Sequence, residues 1–187
     1  FDIGGANIKA ADGLGWAASE PFPLWRQPDM LAETLARIVA TRRPRRIVAT
    51  MTGEIADCFP SREAGVRHIV ATVEAAARAH APPATIGIYC TDGTLVTPAA
   101  AREYPLKAAA ANWHAMARLA AAHAATPHAL AIDVGSTTTD IVPVVEFAPA
   151  PLACDDVGRM ATGELVYTGV ERTPVAAIVR ALPWPGM

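Results

Sequence analysis

Residues 2–9 combine residue types that could hold a phosphate group beside a divalent cation. The segment reads Asp-Ile-Gly-Gly-Ala-Asn-Ile-Lys. Glycines let a backbone approach a phosphate closely and aim N–H groups at its oxygens. Asp2 can hold Mg²⁺ directly or through water, and Asn7 and Lys9 can donate to phosphate oxygens. An ordinary glycine-rich hairpin with a surface lysine is the alternative interpretation.

A second segment of this kind occupies residues 133–140. It reads Asp-Val-Gly-Ser-Thr-Thr-Thr-Asp, so two carboxylates flank a row of hydroxyl and amide groups. That composition suits a phosphate chain bound with a divalent cation. The alternative is an ordinary β-hairpin in which the threonines occur because threonine favours β-strands. In both segments a strand delivers Asp, then Gly, then small polar residues, and this weak internal echo favours phosphate binding more than either copy alone.

Strands and helices alternate along the chain, which indicates an α/β domain. The dipeptides Asp12-Gly13 and Asp92-Gly93 predict hairpin turns, and prolines mark several helix ends. A further segment, of unassigned structure, covers 164–168. The predicted strands cover 1–5, 7–11, 15–18, 46–50, 86–90, 94–97, 130–134 and 138–145, and the predicted helices cover 29–42, 61–80, 105–125, 155–162 and 174–181.

A few residues within these elements have specific expected places. Asp29 is expected to cap the first helix, because aspartate is a favoured N-cap residue. His114 lies in the alanine-rich helix predicted over 105–125 and is expected at the surface. The adjacent Asp155 and Asp156 resemble a metal pair but are typical of an N-cap and a first helical turn.

Composition and charge argue against several classes of protein. The 187 residues include 16 Lys and Arg against 18 Asp and Glu, a net charge of −2 with no basic block, which argues against nucleic acid as a partner. No apolar run reaches the roughly 18 residues that span a bilayer, so no membrane partner is expected. The cysteines, Cys58, Cys90 and Cys154, are far apart and are typical of reduced thiols in a cytoplasmic protein. Because the sequence opens inside a predicted strand, we expect it to be part of a longer protein.

Four segments, in this order, resemble the tetrahydromethanopterin-linked C1-transfer pathway proteins. They read DIGGANIKAA, ATMTGEIADCF, IDVGSTTTDIVPV and GELVYTGVERTPV, and they span nearly the whole chain. This is the hydantoinase A/oxoprolinase-like branch that includes the furan-methanamine synthase of methanofuran biosynthesis. The two Asp–Gly hairpins also resemble the phosphate-1 and phosphate-2 loops of the actin/hexokinase/Hsp70 superfamily. The resemblance implies an actin-like (ribonuclease H-like) α/β ATPase fold, with residues 1–126 as its first lobe and residues 127–187 as the start of an incomplete second lobe.

The resemblance also implies a transferase. In that family, an enzyme joins an aminomethylfuran-methyl diphosphate to γ-glutamyltyramine, and the phenol oxygen displaces diphosphate to form an ether. A diphosphate leaves readily once a cation and N–H donors neutralise its charge. The implied partner is therefore a small phosphorylated substrate and the implied cofactor is Mg²⁺. The oligomeric state stays open, with a homo-oligomer among the alternatives.

Carried over residue by residue, the resemblance gives each motif a role. Asp2 and Asp133 would place Mg²⁺, with Asp133 counted among the catalytic residues. Glu54 would serve as a general base for the phenol or as a second-sphere metal ligand; the alternative is a solvated loop carboxylate. Arg172 would offset phosphate charge, unless it is an ordinary surface arginine. The residues implied to cradle the diphosphate are Asp2, Gly4, Gly5, Asn7, Lys9, Gly135, Ser136, Thr137 and Thr138.

The use of ATP is left open by the sequence. An ATP-using member of the superfamily also needs an adenosine-binding segment, and no glycine-rich stretch in the last thirty or so residues supplies it. Either that segment follows later in the protein or no nucleotide is used. The alternatives to the transferase are therefore an ATP-dependent hydantoinase/oxoprolinase-like amidohydrolase, a small-molecule kinase, and a nucleotide sensor without turnover.

Overall fold

The computed structural model describes residues 1–181. The chain divides into two compact units, Phe1–Ala115 and Met116–Met187. The predicted lobe boundary between residues 126 and 127 stays a prediction. Residues 182–187, which the sequence analysis assigned to the end of the second lobe, lie outside the described residues.

A mixed sheet of six strands forms the first unit. Its strands are β1 (Asp2–Ile3), β2 (Asn7–Ala11), β3 (Ala17–Pro21), β4 (Arg46–Met51), β5 (Thr85–Tyr89) and β6 (Leu95–Val96). They lie in the spatial order β3-β2-β1-β4-β5-β6, with β4 parallel to both β1 and β5 and with antiparallel pairing elsewhere. The carboxyl ends of β1 and β4 therefore lie at the same edge of the sheet.

The helices of this unit supply much of its apolar core. They are α1 (Leu31–Arg42), α2 (Arg62–His80), α3 (Pro98–Glu103), α4 (Pro105–Ala108) and α5 (Asn112–Ala122), with the division between the units falling inside α5. Helix α1 packs against α2, and their buried residues recur at helical spacing, as an amphipathic helix requires. The core includes Ile3, Leu35, Val39, Ile47, Met51, Val66, Ile69, Val70 and Ile88.

Two expectations about these helices are wrong. Asp29 does not cap α1; it lies inside a short 3-10 turn, Pro28–Met30, and the N-cap of α1 is Met30. The single helix predicted over 105–125 is instead the pair α4 and α5, separated by residues 109–111, where Ala110 has a φ of 48°. Alanine favours helix at every one of these positions, so propensity alone could not reveal the break.

The break in the helix also explains why His114 was misplaced. His114 is only 7% exposed, and its Nδ1 lies 2.9 Å from the hydroxyl of Tyr89. Trp113 meets the same imidazole edge-on. A break before residue 112 changes the direction in which every later side chain leaves the helix axis. The helix face assigned to His114 from one continuous helix over 105–125 is therefore wrong.

The second unit contains a smaller sheet. Its elements are β7 (His128–Val134), β8 (Thr139–Val145), β9 (Ala148–Pro149), α6 (Asp156–Thr162), β10 (Leu165–Val166) and α7 (Val175–Ile178). The strands lie in the order β10-β8-β7, and β9 also pairs with β8; all of these pairs are antiparallel. Asp155 caps α6 by accepting a hydrogen bond from the Gly158 amide, which confirms the predicted N-cap role of the Asp155-Asp156 pair.

The predicted α/β class is confirmed, since both units combine helices with sheet. The finer assignment to the actin/hexokinase/Hsp70 fold stays a prediction. Within residues 1–181, every helix is too short or too polar to cross a membrane.

Candidate functional site

The first hairpin, residues 2–9, has the form that the sequence predicted. Asp2 and Ile3 pair with Lys9 and Ile8, and the Gly4 amide donates to the Asn7 carbonyl at 3.0 Å, which closes the turn. The Nζ of Lys9 lies 3.5 Å from Oδ2 of Asp2. The other oxygen, Oδ1, is buried without a hydrogen-bond partner among the described residues.

The loop after β3 donates hydrogen bonds to two carbonyl oxygens of this turn. Leu24 donates its amide to the Gly5 carbonyl at 2.9 Å, and Phe22 donates to the Ala6 carbonyl at 2.8 Å. In a trans peptide the carbonyl and the next amide point in opposite directions. The amides of Ala6 and Asn7 therefore point away from this loop, which is the orientation that an anion needs.

Glu54 lies beside the first hairpin but is not a solvated loop residue. It follows β4 in a short 3-10 turn, Gly53–Ile55, and is 1% exposed. Its Oε1 accepts a hydrogen bond from Nη2 of Arg62 at 3.2 Å. Burial raises the pKa of Glu54, and the charge and hydrogen bond of Arg62 oppose that rise.

Close packing ties the Glu54 turn to the end of β1. A Cβ atom on Gly53 would lie 3.1 Å from the carbonyl oxygens of Ile3 and Gly4 and 2.7 Å from the side chain of Leu24. The structure thus brings Glu54 and the first hairpin to one edge of the sheet. A cleft of about 680 Å³ in the same unit is lined instead by Phe1, the end of β2 and the start of β4, and contains none of the predicted site residues.

The second hairpin, residues 133–140, repeats the turn of the first. The Gly135 amide donates to the Thr138 carbonyl at 2.8 Å, which matches the bond from Gly4 to Asn7. Asp133 pairs across the strands with Asp140, as Asp2 pairs with Lys9. The weak echo in the sequence is therefore a real structural repeat.

Comparison with known proteins identifies the family. A sequence profile of the hydantoinase/oxoprolinase family matches residues 45–170. The chain belongs to the hydantoinase/oxoprolinase family. It is also 30% identical over its full length to the (4-{4-[2-(gamma-L-glutamylamino)ethyl]phenoxymethyl}furan-2-yl)methanamine synthase of Methanocaldococcus jannaschii. The chain spans 54% of that relative, about half its length.

Within this family member, the two hairpins differ in charge at one equivalent position. Lys9 in the first hairpin corresponds to Asp140 in the second, so Asp2 faces a cation while Asp133 faces a second carboxylate. Asp133 is exposed, whereas the side chain of Asp140 is 17% exposed. Burial raises the pKa of Asp140, the charge of Asp133 adds to the rise, and Arg159 opposes it.

Arg159 is the main residue of the second unit that sequence reasoning missed. It is 1% exposed, and its Nη1 donates to Oδ1 of Asp140 at 2.9 Å. Its Nη2 donates to the Glu164 carbonyl, also at 2.9 Å. Nothing in the local sequence of α6 distinguishes this buried arginine from a surface one.

Arg62 was missed as well, although the sequence holds a signal for it. It is the first residue of α2, where the helix dipole disfavours a positive charge. A cation at this place needs a nearby anion, and Glu54 supplies one. Arg172, by contrast, was predicted and is exposed, with its backbone amide bonded to the Ser136 carbonyl at 2.9 Å.

The chemistry of the carboxylates fits Mg²⁺ in a limited way. No cluster of three or more His, Cys, Asp or Glu side chains that could hold a metal occurs within residues 1–181. Mg²⁺, however, is commonly held by one or two carboxylates together with waters and substrate phosphates. Asp133 fits that pattern, because its nearest strand partner is another carboxylate. Asp2 also fits that pattern, because its Oδ1 has no hydrogen-bond partner among the described residues, although the ammonium of Lys9 already offsets the charge of the carboxylate.

The substitution Glu54→Gln should leave the free energy of unfolding at neutral pH no lower than in wild type and should flatten its pH dependence. The raised pKa means that the native state holds this proton more tightly than the unfolded state does. Stability from Glu54 is therefore present below the ordinary pKa of 4.5 and is lost as pH rises through the folded value. Urea unfolding between about pH 4 and pH 8 measures this.

Glu63→Gln is the matched control, because the same substitution at this position should change the pH dependence of the free energy of unfolding in the opposite direction. The pKa of Glu63 is lowered by hydrogen bonds to backbone and to Ser61, so its stabilisation appears above the ordinary pKa. A greater loss of stability for Glu54→Gln at neutral than at acidic pH would mean that the Arg62 ion pair outweighs burial.

Proposed function

We propose that the chain is part of a transferase of methanofuran-type cofactor biosynthesis. The enzyme condenses an aminomethylfuran-methyl diphosphate with γ-glutamyltyramine and releases diphosphate. The phenol oxygen forms a bond to the methylene carbon, the bond from that carbon to the diphosphate oxygen breaks, and the diphosphate leaves with the electron pair. The phenol proton passes to a base. The name of the relative supports this proposal, since its product carries a phenoxymethyl-furan ether.

The observation that carries the proposal is the structural repeat of the two hairpins. Each closes with the same amide-to-carbonyl bond, and each has two carbonyls that accept amide hydrogen bonds from a later segment, residues 22–24 for the first hairpin and residues 170–172 for the second. Pairs of amides aimed the same way are a general device for binding phosphate oxygens. In this proposal the phosphate-binding residues of the first hairpin are Gly4, Gly5, Asn7 and Lys9. Those of the second hairpin are Gly135, Ser136, Thr137 and Thr138.

The charge difference between the hairpins suggests different roles. Lys9 makes the first hairpin suited to an anion. Asp133, exposed and facing Asp140, makes the second hairpin suited to a cation, so Asp133 is the stronger candidate for an Mg²⁺ ligand and Asp2 the weaker one. Bound Mg²⁺ would neutralise charge that develops on the leaving diphosphate.

The proposed roles of Glu54 and Arg172 follow from their positions. Glu54, with a raised pKa at the end of β4, is the proposed proton acceptor for the phenol, with Arg62 holding its carboxylate in place. Arg172 is exposed and its backbone is fixed to the second hairpin, so its guanidinium is proposed to offset diphosphate charge.

The family match favours a second candidate function. Hydantoinase/oxoprolinase similarity over residues 45–170 is equally compatible with an ATP-dependent amidohydrolase or a small-molecule kinase. In either, the hairpins would hold the phosphates of ATP. A sensor that binds a nucleotide without turnover would use the same hairpins and no base.

The deciding experiment uses the protein in its full natural length with Mg²⁺, the furan-methyl diphosphate and γ-glutamyltyramine. Diphosphate release and the mass of the ether product are followed with and without ATP. Product formed without ATP supports the transferase. ATP hydrolysis on an amide or ring substrate, with no ether product, would move the assignment to the second candidate. Glu54→Gln that binds diphosphate normally but releases none from substrate would exclude a sensor.

A further inference from the structure

A short stretch of chain, residues 168–173, lies against the back of the second hairpin. Val170 donates its amide to the Gly135 carbonyl at 3.0 Å. Glu171 and Arg172 donate theirs to the Ser136 carbonyl at 3.1 and 2.9 Å. Every amide from 170 to 172 is thus committed to the hairpin. We call residues 168–173 the brace.

These bonds fix the direction of two peptide groups in the hairpin. The Gly135 carbonyl points to the brace, so the Ser136 amide in the same peptide plane points away from it. The Ser136 carbonyl also points to the brace, so the Thr137 amide points away as well. Without the brace, either peptide could turn a carbonyl oxygen forward, and a carbonyl oxygen repels an anion.

The brace approaches the hairpin so closely that only glycine fits at position 169. A Cβ atom on Gly169 would lie 2.4 Å from the Thr137 nitrogen and 2.5 Å from the carbonyl carbon of Ser136. Real Cβ atoms do not come this near to backbone, so any side chain at 169 must push the hairpin and the brace apart.

A threonine hydroxyl holds the brace in its own shape. The Gly169 amide donates to Oγ1 of Thr173 at 3.3 Å, and Thr139 anchors the start of the brace by donating its Oγ1 to the Thr168 carbonyl at 2.7 Å. The brace is therefore a closed turn that is tied to β8, not a loose connection.

We propose that the brace aims the amides of Ser136 and Thr137 at an anionic ligand, and that Gly169 and Thr173 are positioning residues for this site. The inference rests on the proposed function for the identity of the anion, a diphosphate. The first hairpin has a similar arrangement one position later in its turn, where Leu24 and Phe22 donate to the carbonyls of Gly5 and Ala6. Because carbonyls of both turns are bonded by amides of a later segment, we infer that these bonds set the direction of the peptide groups in the turns.

The test compares Gly169→Ala with Gly163→Ala in the full-length protein. Gly163 ends α6 with a φ of 78°, so alanine there strains the backbone, but its Cβ would meet nothing within 4 Å. Both variants should lose stability. Only Gly169→Ala should weaken the binding of inorganic diphosphate with Mg²⁺, by about tenfold or more, because a lost charge-assisted hydrogen bond has about this effect.

Two further readouts distinguish positioning from general destabilisation. Gly169→Ala should raise KM for the diphosphate substrate and leave KM for γ-glutamyltyramine unchanged. Selective ¹⁵N-threonine labelling should show shifted Thr137 and Thr138 amides in Gly169→Ala but not in Gly163→Ala. Should Gly169→Ala fail to fold, Thr173→Val should reproduce the weaker binding and Thr173→Ser should restore it.

The outcomes separate the brace from the proposed function. Unshifted threonine amides and unchanged diphosphate binding in Gly169→Ala and in Thr173→Val would overturn the brace. A wild-type protein that binds no diphosphate would overturn the proposed function, while the threonine amide shifts would still decide whether the brace sets the hairpin.

Discussion

Asp133→Asn should lower the Mg²⁺-dependent rate of diphosphate release by about 10²- to 10³-fold without loss of stability. This range is typical when a group that stabilises developing charge is removed. Asparagine has nearly the same shape as aspartate, but it lacks the charge that would hold Mg²⁺ beside the leaving group. The release rate is measured with saturating substrates over a range of Mg²⁺ concentrations.

The stability of this variant follows from the residue that Asp133 faces. Asp140 lies opposite it across the strands, and the charge of Asp133 helps to raise the pKa of Asp140. A carboxyl with a raised folded pKa loses stabilisation as pH rises above its ordinary value of 3.8. Removing the neighbouring charge reduces that loss, so thermal unfolding at neutral pH should shift upward or not at all.

Asp155→Asn is the control for this prediction. It removes a carboxylate from the same unit, but asparagine remains a good N-cap for α6, so rate and stability should both stay near wild type. Asp2→Asn should have a smaller effect than Asp133→Asn, because Lys9 already offsets the charge of Asp2. A full rate for Asp133→Asn at every Mg²⁺ concentration would contradict the assignment of Asp133 as the metal ligand.

The hairpins could be predicted from sequence because their information is local. Glycines at 4 and 135 sit where the turns close, and the residues that follow have short side chains that leave the backbone accessible. The same local rules placed the Asp155 cap of α6 correctly, since its side chain accepts a hydrogen bond from the amide three residues ahead.

What failed depended on contacts between distant residues. The break at 109–111 is invisible in a run of alanines, and with it the burial of His114 against Tyr89. Glu54 could be singled out by its place after a strand. Its burial could not be predicted, because it depends on Arg62 at the start of another element.

The brace, residues 168–173, also could not be predicted from the sequence. The sequence marked residues 163–175 as a motif and drew attention to the charge of Arg172. The structure shows that backbone amides of this motif donate to the carbonyls of the second hairpin, and that Gly169 leaves no room for a Cβ atom against it. A charged side chain is conspicuous in a sequence, whereas a backbone amide is present at every residue but proline.

Arg159→Met should destabilise the protein by about 3–5 kcal/mol at neutral pH, the usual effect of removing one partner from a buried ion pair. Methionine retains the apolar volume of the arginine stem, so little of this loss should come from packing. The loss arises because the carboxylate of Asp140 stays largely buried without its cation and the Glu164 carbonyl loses a donor. Denaturant unfolding of the full-length protein gives the difference.

The pH dependence identifies the cause. Without Arg159, nothing opposes the effect of burial on Asp140, so its pKa rises further. Stability contributed by a proton on Asp140 is lost as pH rises, and the gap between variant and wild type should therefore widen from acidic to neutral pH. Arg180→Met, which alters an exposed arginine in the same unit, should change stability by less than about 0.5 kcal/mol.

A double variant separates the ion pair from other effects of the arginine. The double variant Asp140→Asn/Arg159→Met removes the buried carboxylate charge that has lost its partner. It should therefore be more stable than the single variant Arg159→Met. Because Asp140 also faces Asp133, the double variant tests whether Arg159 serves the second hairpin through this carboxylate. Equal stability of the single and double variants at neutral pH would show that Arg159 acts through the Glu164 carbonyl and packing, and that Asp140 does not depend on it.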